Sequence, residues 1–128
     1  MAEEEHTPGF PTRNVRGVSM PSPGFGTWQL KGGEARTMAE KALEFGYRHF
    51  DTAEAYGDGD SEELLGRAFK GKRDQAIIAT KVSQNHMRPA DLRGACEGSL
   101  ARLQTDYIDV YYLHWPNWDV PFEDTMGE

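Results

Sequence analysis

The clearest periodicity in the chain is helical and covers Pro89–Leu103. Small and apolar residues recur there at spacings of three and four positions, as expected of one buried helix face: Leu92, Ala95, Cys96, Ser99, Leu100 and Leu103. A proline near the first position is common in helices, because its missing N–H would have no partner there. The pattern therefore predicts a helix over this segment.

Two earlier segments have the same period over a shorter length. Residues 34–45, followed by Gly46 as a C-cap, are predicted to form a helix with five residues on its buried face: Ala35, Met38, Ala39, Ala42 and Leu43. Residues 61–69 follow Asp60, which is predicted to cap that helix with Glu63 three positions later. The buried face of this second helix is predicted to consist of Leu64, Leu65, Ala68 and Phe69.

Shorter apolar runs separate the helical segments and are predicted to be strands. The run "YRHFDTA" precedes the second helix, "AIIATKV" precedes the third, and "YIDVYYLHW" follows it. Because "AIIATKV" shows little alternation, it is typical of a strand covered on both faces. Between residues 14 and 30, glycine and proline punctuate the sequence and predict a hairpin followed by a first strand near 24–27. A last helix is predicted to begin within "PFEDTMGE".

Strand and helix thus alternate four times, which favours a parallel sheet with right-handed crossovers. One such architecture is the (β/α)8 barrel, which needs eight units and about 250 residues. The other is an open doubly wound sheet, whose dinucleotide-binding form carries G-x-G-x-x-G after the first strand. The segment "GFGTWQ" has Gln29 at the third glycine position, so that fingerprint is not met. We predict an α/β partial barrel: the first four strands and three helices of a TIM barrel, with an N-terminal hairpin.

Length and composition narrow the class of protein. The 128 residues are predicted to form a flexible N-terminus over 1–13 and one domain over 14–128, truncated where the fourth helix begins. A net charge of −7 argues against nucleic-acid binding, which requires clustered basic residues. No apolar run approaches the roughly 20 residues of a membrane span, and "MAEEEHTPGFPTRN" lacks the apolar core of a secretory signal. The single cysteine, Cys96, is expected to be a small buried hydrophobe in the reducing cytoplasm.

A polar side chain, or a short segment able to contact a cofactor, follows each predicted strand. The first strand runs into "GTW" at 26–28, and the next three end near Asp51, Lys81 and His114. Taken singly, each residue has a simpler explanation, as a turn-forming acid, an exposed strand end or a histidine bonded within the core. However, the carboxyl ends of parallel strands share one rim, where ligands bind. We therefore predict that the three side chains are neighbours at a functional site.

Four segments resemble the aldo-keto reductases in their order and spacing: "GFGTWQL", "GYRHFDTAEAYGDGDSEELLG", "ATK" and "YIDVYYLHWP". The resemblance implies a catalytic tetrad of Asp51, Tyr56, Lys81 and His114. It implies NADPH, or alternatively NADH, as the cofactor, with a binding site that includes Gly26, Thr27, Trp28 and Asp51. It further implies a substrate pocket lined by Trp28, Tyr56, His114 and Trp115. No metal is implied.

The chemistry of carbonyl reduction explains why these residue types are needed. Attack by hydride builds negative charge on the carbonyl oxygen, so a proton donor must stand within hydrogen-bond reach. By the resemblance this donor is Tyr56, and because a free phenol is a poor acid at neutral pH, the ammonium of Lys81 is needed to stabilise the phenolate. Asp51 would keep Lys81 charged and aimed, and His114 would donate to the carbonyl oxygen.

Two smaller features have a less specific interpretation. Trp118 fits either a loop of the substrate pocket or the protein surface, and the sequence does not decide between them. The acidic stretch "GDGDSEE" lacks the 12-residue spacing and terminal glutamate of a calcium-binding loop. We therefore expect it to form a loop and a helix cap.

Two classes of function are compatible with the sequence. The first is an NADPH-dependent reductase of small aldehydes or ketones, in which the second half of the barrel provides most of the nucleotide site. The second is a non-enzymatic half-barrel that binds a partner chain through its exposed sheet edges. We expect the 128 residues alone to be inactive and self-associating, whereas the full-length form is compatible with a monomer.

Overall fold

The computed structural model describes residues 11–128, which are built around a parallel sheet. Its strand order is β3-β4-β5-β6, with the strands Gly24–Gly26, His49–Asp51, Ile77–Val82 and Val110–Leu113. An α-helix comes after each strand: α1 Gly32–Glu44, α2 Asp60–Ala68, α3 Pro89–Leu103 and α4 Phe122–Gly127. An antiparallel hairpin precedes the sheet and consists of β1, Thr12–Val15, and β2, Val18–Pro21. The predicted hairpin and the predicted alternation of strands and helices are confirmed.

The register of the parallel strands brings polar residues to one end of the sheet. Gly26 is aligned with Asp51, Asp51 with Ala79, and Lys81 with Tyr112. Successive side chains of a strand point to opposite faces of the sheet, so Asp51, Ala79 and Lys81 share one face. Lys81 therefore stands beside Asp51 on that face, two residues further towards the carboxyl end.

The hydrophobic core lies between the other face of the sheet and the helices. Phe50 and Ile78, on adjacent strands, are almost fully buried there. The ring of Phe50 meets that of Phe69 edge-on, with 4.5 Å between the centroids. The helices contribute most of the other buried residues: Ala35, Ala39, Ala42, Leu43, Leu64, Leu65, Ala68 and Leu103. Because this packing uses only one face of the sheet, the polar strand-end residues on the opposite face stand clear of the core.

Some boundaries and orientations differ from the predicted ones. Residues 1–10 of the predicted flexible terminus lie outside the described part of the chain, and β1 already begins at Thr12. Met38 was predicted to face the core but is 48% exposed. It lies outside the buried face of α1, which consists mainly of alanines. Asp60 is the first residue of α2 and not its cap. The cap position is occupied by Gly59, whose φ of 98° a residue with a side chain rarely adopts.

The third helix is less deeply buried than its clear periodicity predicted. Only Ser99 and Leu103 of α3 are fully buried, and Cys96 is half-buried, so it is not the core residue that the sequence indicated. Burial raises the pKa of the Cys96 thiol, and the carboxylates of Glu97 and Glu62 raise it further. The thiol is therefore held in its less reactive, protonated form.

Helices α2 and α3 are in close main-chain contact at Gly66. A Cβ atom at this position would lie 2.6 Å from the carbonyl oxygen of Arg102 and 2.8 Å from the carbonyl carbon of Leu103. Both contacts are with main-chain atoms, which cannot rotate away as the end of a side chain can. The packing of the two helices therefore requires glycine here.

Replacing Gly66 with alanine is expected to lower the free energy of unfolding by about 1–3 kcal/mol, because the added methyl group forces the two helices apart. The better helix propensity of alanine, worth about 1 kcal/mol, offsets only part of this cost. Urea unfolding of the purified protein measures the change. The matched control is Gly94→Ala in α3, where a Cβ would meet no atom within 4 Å. Equal stability of the two variants would contradict the requirement.

Features of two other protein classes are missing from the part of the chain that the structure describes. No helix within 11–128 has the length and apolar character needed to cross a bilayer. Nor do histidine, cysteine and carboxylate side chains in this range gather into a group of three or more that could hold a metal ion. The acidic stretch "GDGDSEE" instead forms the turn Tyr56–Gly59 and the start of α2.

Candidate active site at the carboxyl end of the sheet

The carboxyl end of the sheet holds all four residues of the predicted tetrad. Asp51 is the last residue of β4, Lys81 is the last but one of β5, and His114 comes directly after β6. Tyr56 is supplied by the 3-10 turn Tyr56–Gly59, which joins β4 to α2. The main-chain N–H of His114 donates to the carbonyl of Val82 at 3.0 Å, so the pairing of β5 and β6 continues up to the site.

The ammonium of Lys81 is the centre of the cluster. Its Nζ donates to Asp51 Oδ1 at 2.7 Å, to the carbonyl of Thr52 at 2.9 Å and to the phenol oxygen of Tyr56 at 3.2 Å. These three contacts use all three N–H donors of the ammonium. The Lys81 side chain is only 16% exposed, so the cation is shielded from water and fixed in place. The Tyr56 phenol thus lies within hydrogen-bond reach of an immobilised positive charge.

The His114 imidazole stands beside Tyr56 and is partly covered by Trp115. The His114 and Tyr56 rings meet edge-on, with 5.7 Å between their centroids and 84° between their planes. The His114 and Trp115 rings are nearly parallel, at 9° and 5.8 Å. The imidazole of His114 is thus in contact with the phenol ring of Tyr56 and with the indole of Trp115.

The surroundings of His114 favour its neutral form. Burial lowers the pKa of His114 below its ordinary value, and the ammonium of Lys81 lowers it further, whereas the carboxylates of Asp51 and Glu54 oppose the shift. At neutral pH the ring is therefore uncharged, with one N–H that can donate a hydrogen bond. A neutral donor next to a phenol suits an uncharged ligand that carries a hydrogen-bond acceptor.

Three hydroxyl groups join the ends of the first two sheet strands to α2. Thr27 Oγ1 donates to the carbonyl of Asp51 at 3.0 Å and lies 2.6 Å from Ser61 Oγ. Ser61 Oγ also lies 2.8 Å from Thr52 Oγ1. The hydroxyl of Thr27, which the sequence placed in the cofactor site, is thus buried and bonded within the protein. Ser61 was missed, because a serine at a helix start gives no signal beyond a role in capping.

A buried ion pair likewise joins β5, the strand that carries Lys81, to the helices α2 and α3. Glu62 on α2 is fully buried, and its Oε1 accepts a bond of 2.8 Å from Nε of Arg102. Its Oε2 accepts a bond of 2.8 Å from the hydroxyl of Thr80, the residue before Lys81. Since both carboxylate oxygens are bonded, α2, α3 and β5 are tied together at one point. Hydrophobic patterning gave no sign of this pair, because it treats a charged helix position as exposed.

The tryptophans near the site are largely open to solvent. Trp28 is 67% exposed and Trp115 is 62% exposed, and both follow strands at the carboxyl end of the sheet. Trp118 is 91% exposed, which places it on the surface of the described chain. Gly26 has open space where a side chain would begin, beside the end of β4. The rim therefore offers exposed aromatic side chains at both edges of the sheet and accessible main chain at Gly26.

Two grooves of about 670 Å³ differ in their relation to this site. One borders Tyr56 between the starts of α1 and α2, and its charged lining residues are three cations and two carboxylates: Lys31, Arg36, Arg67, Asp60 and Glu63. The other is a shallow surface around Arg73 and Tyr107, and none of the predicted site residues lines it. We place the candidate site at the rim, because the Lys81 ammonium, the Tyr56 phenol and the His114 imidazole come together there.

The sequence of the chain is similar to characterised reductases. The profile of the Aldo/keto reductase family matches residues 24–128. The chain is 42% identical over 127 residues to Aldo-keto reductase YhdN of Bacillus subtilis (strain 168), covering 85% of the chain and 38% of that protein. It is 46% identical over 104 residues to Methylglyoxal reductase DkgA of Escherichia coli O157:H7, covering 78% of the chain and 36% of that protein. The chain thus spans about two fifths of the length of these relatives.

The fold is similar to that of solved structures from the same group. A thermostable aldo-keto reductase in complex with the inhibitor epalrestat superimposes with a TM-score of 0.88 at 38% identity, over 91% of this chain and 47% of that one. An aldo-keto reductase from Klebsiella pneumoniae in complex with NADPH gives 0.78 at 39% identity, over 86% and 40%. These neighbours are (β/α)8 barrels, so the predicted partial TIM-barrel fold is confirmed.

Proposed function

Because this chain belongs to the aldo/keto reductase family, we propose that its strand-end cluster reduces the carbonyl group of aldehydes or ketones with NADPH. The observation that carries the proposal is the 3.2 Å contact between the Lys81 ammonium and the Tyr56 phenol, with Asp51 holding the ammonium from the other side. The proposal concerns a barrel completed by further strand and helix units, since the chain spans about two fifths of its relatives.

Tyr56 is the proton donor in this proposal. When the carbonyl carbon is reduced, its oxygen gains negative charge and takes a proton from the phenol, which becomes a phenolate. The Lys81 ammonium stabilises that phenolate, because opposite charges within hydrogen-bond distance favour the ionised form. Asp51 and the carbonyl of Thr52 keep the ammonium aimed at the phenol oxygen before the reaction begins, so little reorganisation is needed when charge develops.

His114 orients the substrate. Its neutral imidazole donates one N–H to the carbonyl oxygen beside Tyr56, which fixes the carbonyl group and shares its developing charge. The lowered pKa of His114, caused by burial and by Lys81, keeps the ring in this neutral donor form at neutral pH. An imidazolium at the same place would be repelled by the Lys81 ammonium.

The described residues fit one side of a nicotinamide cofactor site. Open main chain at Gly26, the exposed ring of Trp28 and the half-exposed carboxylate of Asp51 would contact it next to the reacting carbonyl. NADPH, when bound, supplies the hydride. Thr27 has a supporting role in this proposal, because its hydroxyl is already bonded to Asp51 and Ser61. A Klebsiella pneumoniae relative solved with NADPH supports this choice of cofactor.

The proposed substrates are small, uncharged carbonyl compounds. Trp28 and Trp115 offer aromatic surface, and the Tyr56–His114 pair offers neutral donors, so the pocket binds an apolar or aromatic group next to a carbonyl. The relative named methylglyoxal reductase supports a small aldehyde as the reacting group.

A spectrophotometric assay of NADPH consumption tests the proposal. The completed protein is expected to consume NADPH with methylglyoxal or benzaldehyde, whereas a polypeptide limited to 1–128 is expected to consume none, because the described residues form only one side of the proposed nucleotide site. A folded, completed protein that binds NADPH but reduces no member of a panel of neutral and charged carbonyl compounds would contradict it. In that case the alternative is a non-enzymatic protein that binds a partner chain through its sheet edges.

A further inference from the structure

Glu54 is a buried carboxylate close to the site but outside the tetrad. It lies three residues after the end of β4, and its side chain is 7% exposed. Its Oε1 accepts the main-chain N–H of Ser83 at 2.6 Å and lies 2.8 Å from Nδ1 of His86. Its own N–H donates to the carbonyl of Lys81 at 3.2 Å. Glu54 therefore contacts the segment that leaves β5 at two points, Ser83 and His86, and β5 itself at a third, Lys81.

That segment, residues 83–87, also supports the part of the chain that carries His114. Nδ2 of Asn117 donates to the carbonyl of Gln84 at 2.7 Å, and the hydroxyl of Thr125 donates to the carbonyl of Met87 at 2.8 Å. Both donors belong to the chain that follows His114. Residues 83–87 thus bond to Glu54 and also to Asn117 and Thr125, and the residue just before them, Val82, accepts the main-chain N–H of His114.

Glu54 also acts on His114 through its negative charge. Burial raises the pKa of Glu54, but the N–H of Ser83 and the hydrogen bond and charge of His86 together outweigh it, so that the pKa ends below its ordinary value. The carboxylate is therefore ionised at neutral pH. It is one of three charges that act on His114, the others being Lys81 and Asp51.

We propose that Glu54 is a positioning residue, whose carboxylate clamps residues 83–87 and thereby sets the placement of His114 and Trp115 at the rim. Its importance for the reaction rests on the proposed carbonyl reduction, but the clamp itself is a property of the structure. A misplacement of about 1 Å at a reacting group can cost on the order of 100-fold in rate. A residue that only indirectly supports His114 can therefore control the rate.

Two variants separate the hydrogen bond from the charge. Glu54→Gln keeps an oxygen that accepts the Ser83 N–H, whereas Glu54→Ala removes it. In hydrogen-exchange measurements on the purified protein, the Ser83 amide is expected to exchange at least about tenfold faster in the alanine variant and close to the wild-type rate in the glutamine variant. The Thr52 amide, bonded to the carbonyl of Ala79 at 2.9 Å, is expected to stay protected in both and reports on the fold.

Kinetics and titration supply a readout that a purely structural role would not change. Glu54→Ala is expected to lower kcat/KM for a small aldehyde by roughly 10- to 100-fold, with Glu54→Gln within about threefold of wild type. In the glutamine variant the NMR titration of His114 is expected to move to lower pH, because one of the two opposing anions is gone. Glu40→Ala, which removes a partly exposed glutamate paired with Arg36 on α1, is the control and should change none of these values.

Each result decides the proposal. Unchanged Ser83 exchange and kcat/KM in Glu54→Ala would overturn it, and so would a glutamine variant that loses Ser83 protection while Thr52 remains protected. If the alanine variant fails to fold, the glutamine variant still decides, through Ser83 exchange and the His114 titration. If wild-type protein reduces no carbonyl compound, the proposed function fails, whereas the exchange and titration results still test the clamp.

Discussion

Replacing Tyr56 with phenylalanine is expected to reduce kcat for carbonyl reduction by on the order of 10²- to 10⁴-fold. The substitution removes one oxygen, the one that lies 3.2 Å from the Lys81 ammonium, and leaves the ring in place. Without the phenol, the developing negative charge on the substrate oxygen has no proton donor. Cofactor affinity, measured by fluorescence titration, should stay close to wild type, because the phenol acts on the substrate.

The matched control is Tyr107→Phe, which removes a phenol from a residue outside the cluster. The Tyr107 hydroxyl makes one long contact of 3.5 Å with the carbonyl of Arg73, so its loss should leave kcat unchanged. Retention of more than about a tenth of wild-type kcat by Tyr56→Phe would rule out the tyrosine as the donor.

The Lys81→Met substitution is expected to be about as damaging, with a loss of kcat on the order of 10²-fold or more. Methionine keeps a linear side chain of similar length but has no charge to stabilise the Tyr56 phenolate. The change also leaves Asp51 without its cation. Because the Asp51 side chain is 40% exposed, water can solvate its carboxylate and the cost to folding should be small.

Stopped-flow or steady-state measurement of kcat, together with a thermal melt, tests this expectation. Lys41→Met on the exposed face of α1 controls for the general loss of a lysine and should behave as wild type. A Lys81→Met protein that melts like wild type and keeps its kcat would show that the phenol needs no cation nearby. A protein that fails to fold would instead assign Lys81 a structural role, and Lys81→Arg, which keeps the charge, would then be the variant to compare.

Much of the fold could be predicted from the sequence, because it depends on local periodicity. The bounds of α3 match the prediction because three helical signals coincide there: the apolar spacing, the first-turn proline and the length of the segment. The position of Asp51, Lys81 and His114 followed from one topological rule, since the ends of parallel strands share a rim. That rule needs only the order of the elements and no side-chain detail.

The parts that could not be predicted depend on contacts between residues distant in sequence. The Glu62–Arg102 pair spans 40 residues, and the bond of Ser83 to Glu54 spans 29. Each buries a carboxylate, Glu62 on α2 and Glu54 in the turn after β4, and a hydrophobic pattern gives no reason to expect a buried charge at either position. The prediction that Met38 is buried was wrong for a related reason. The width of the buried face of α1 is set by the neighbouring helix and not by the spacing of apolar residues within α1.

The order of the strands in the sheet has a consequence for how the chain acquires its structure. Since β3, β4, β5 and β6 lie side by side in the order in which they occur in the chain, each new strand finds its partner already synthesised. Ribosomes add roughly 5–20 residues per second, which is slow compared with the docking of one strand and helix on a preformed edge. The sheet can therefore grow during translation, one strand and helix at a time.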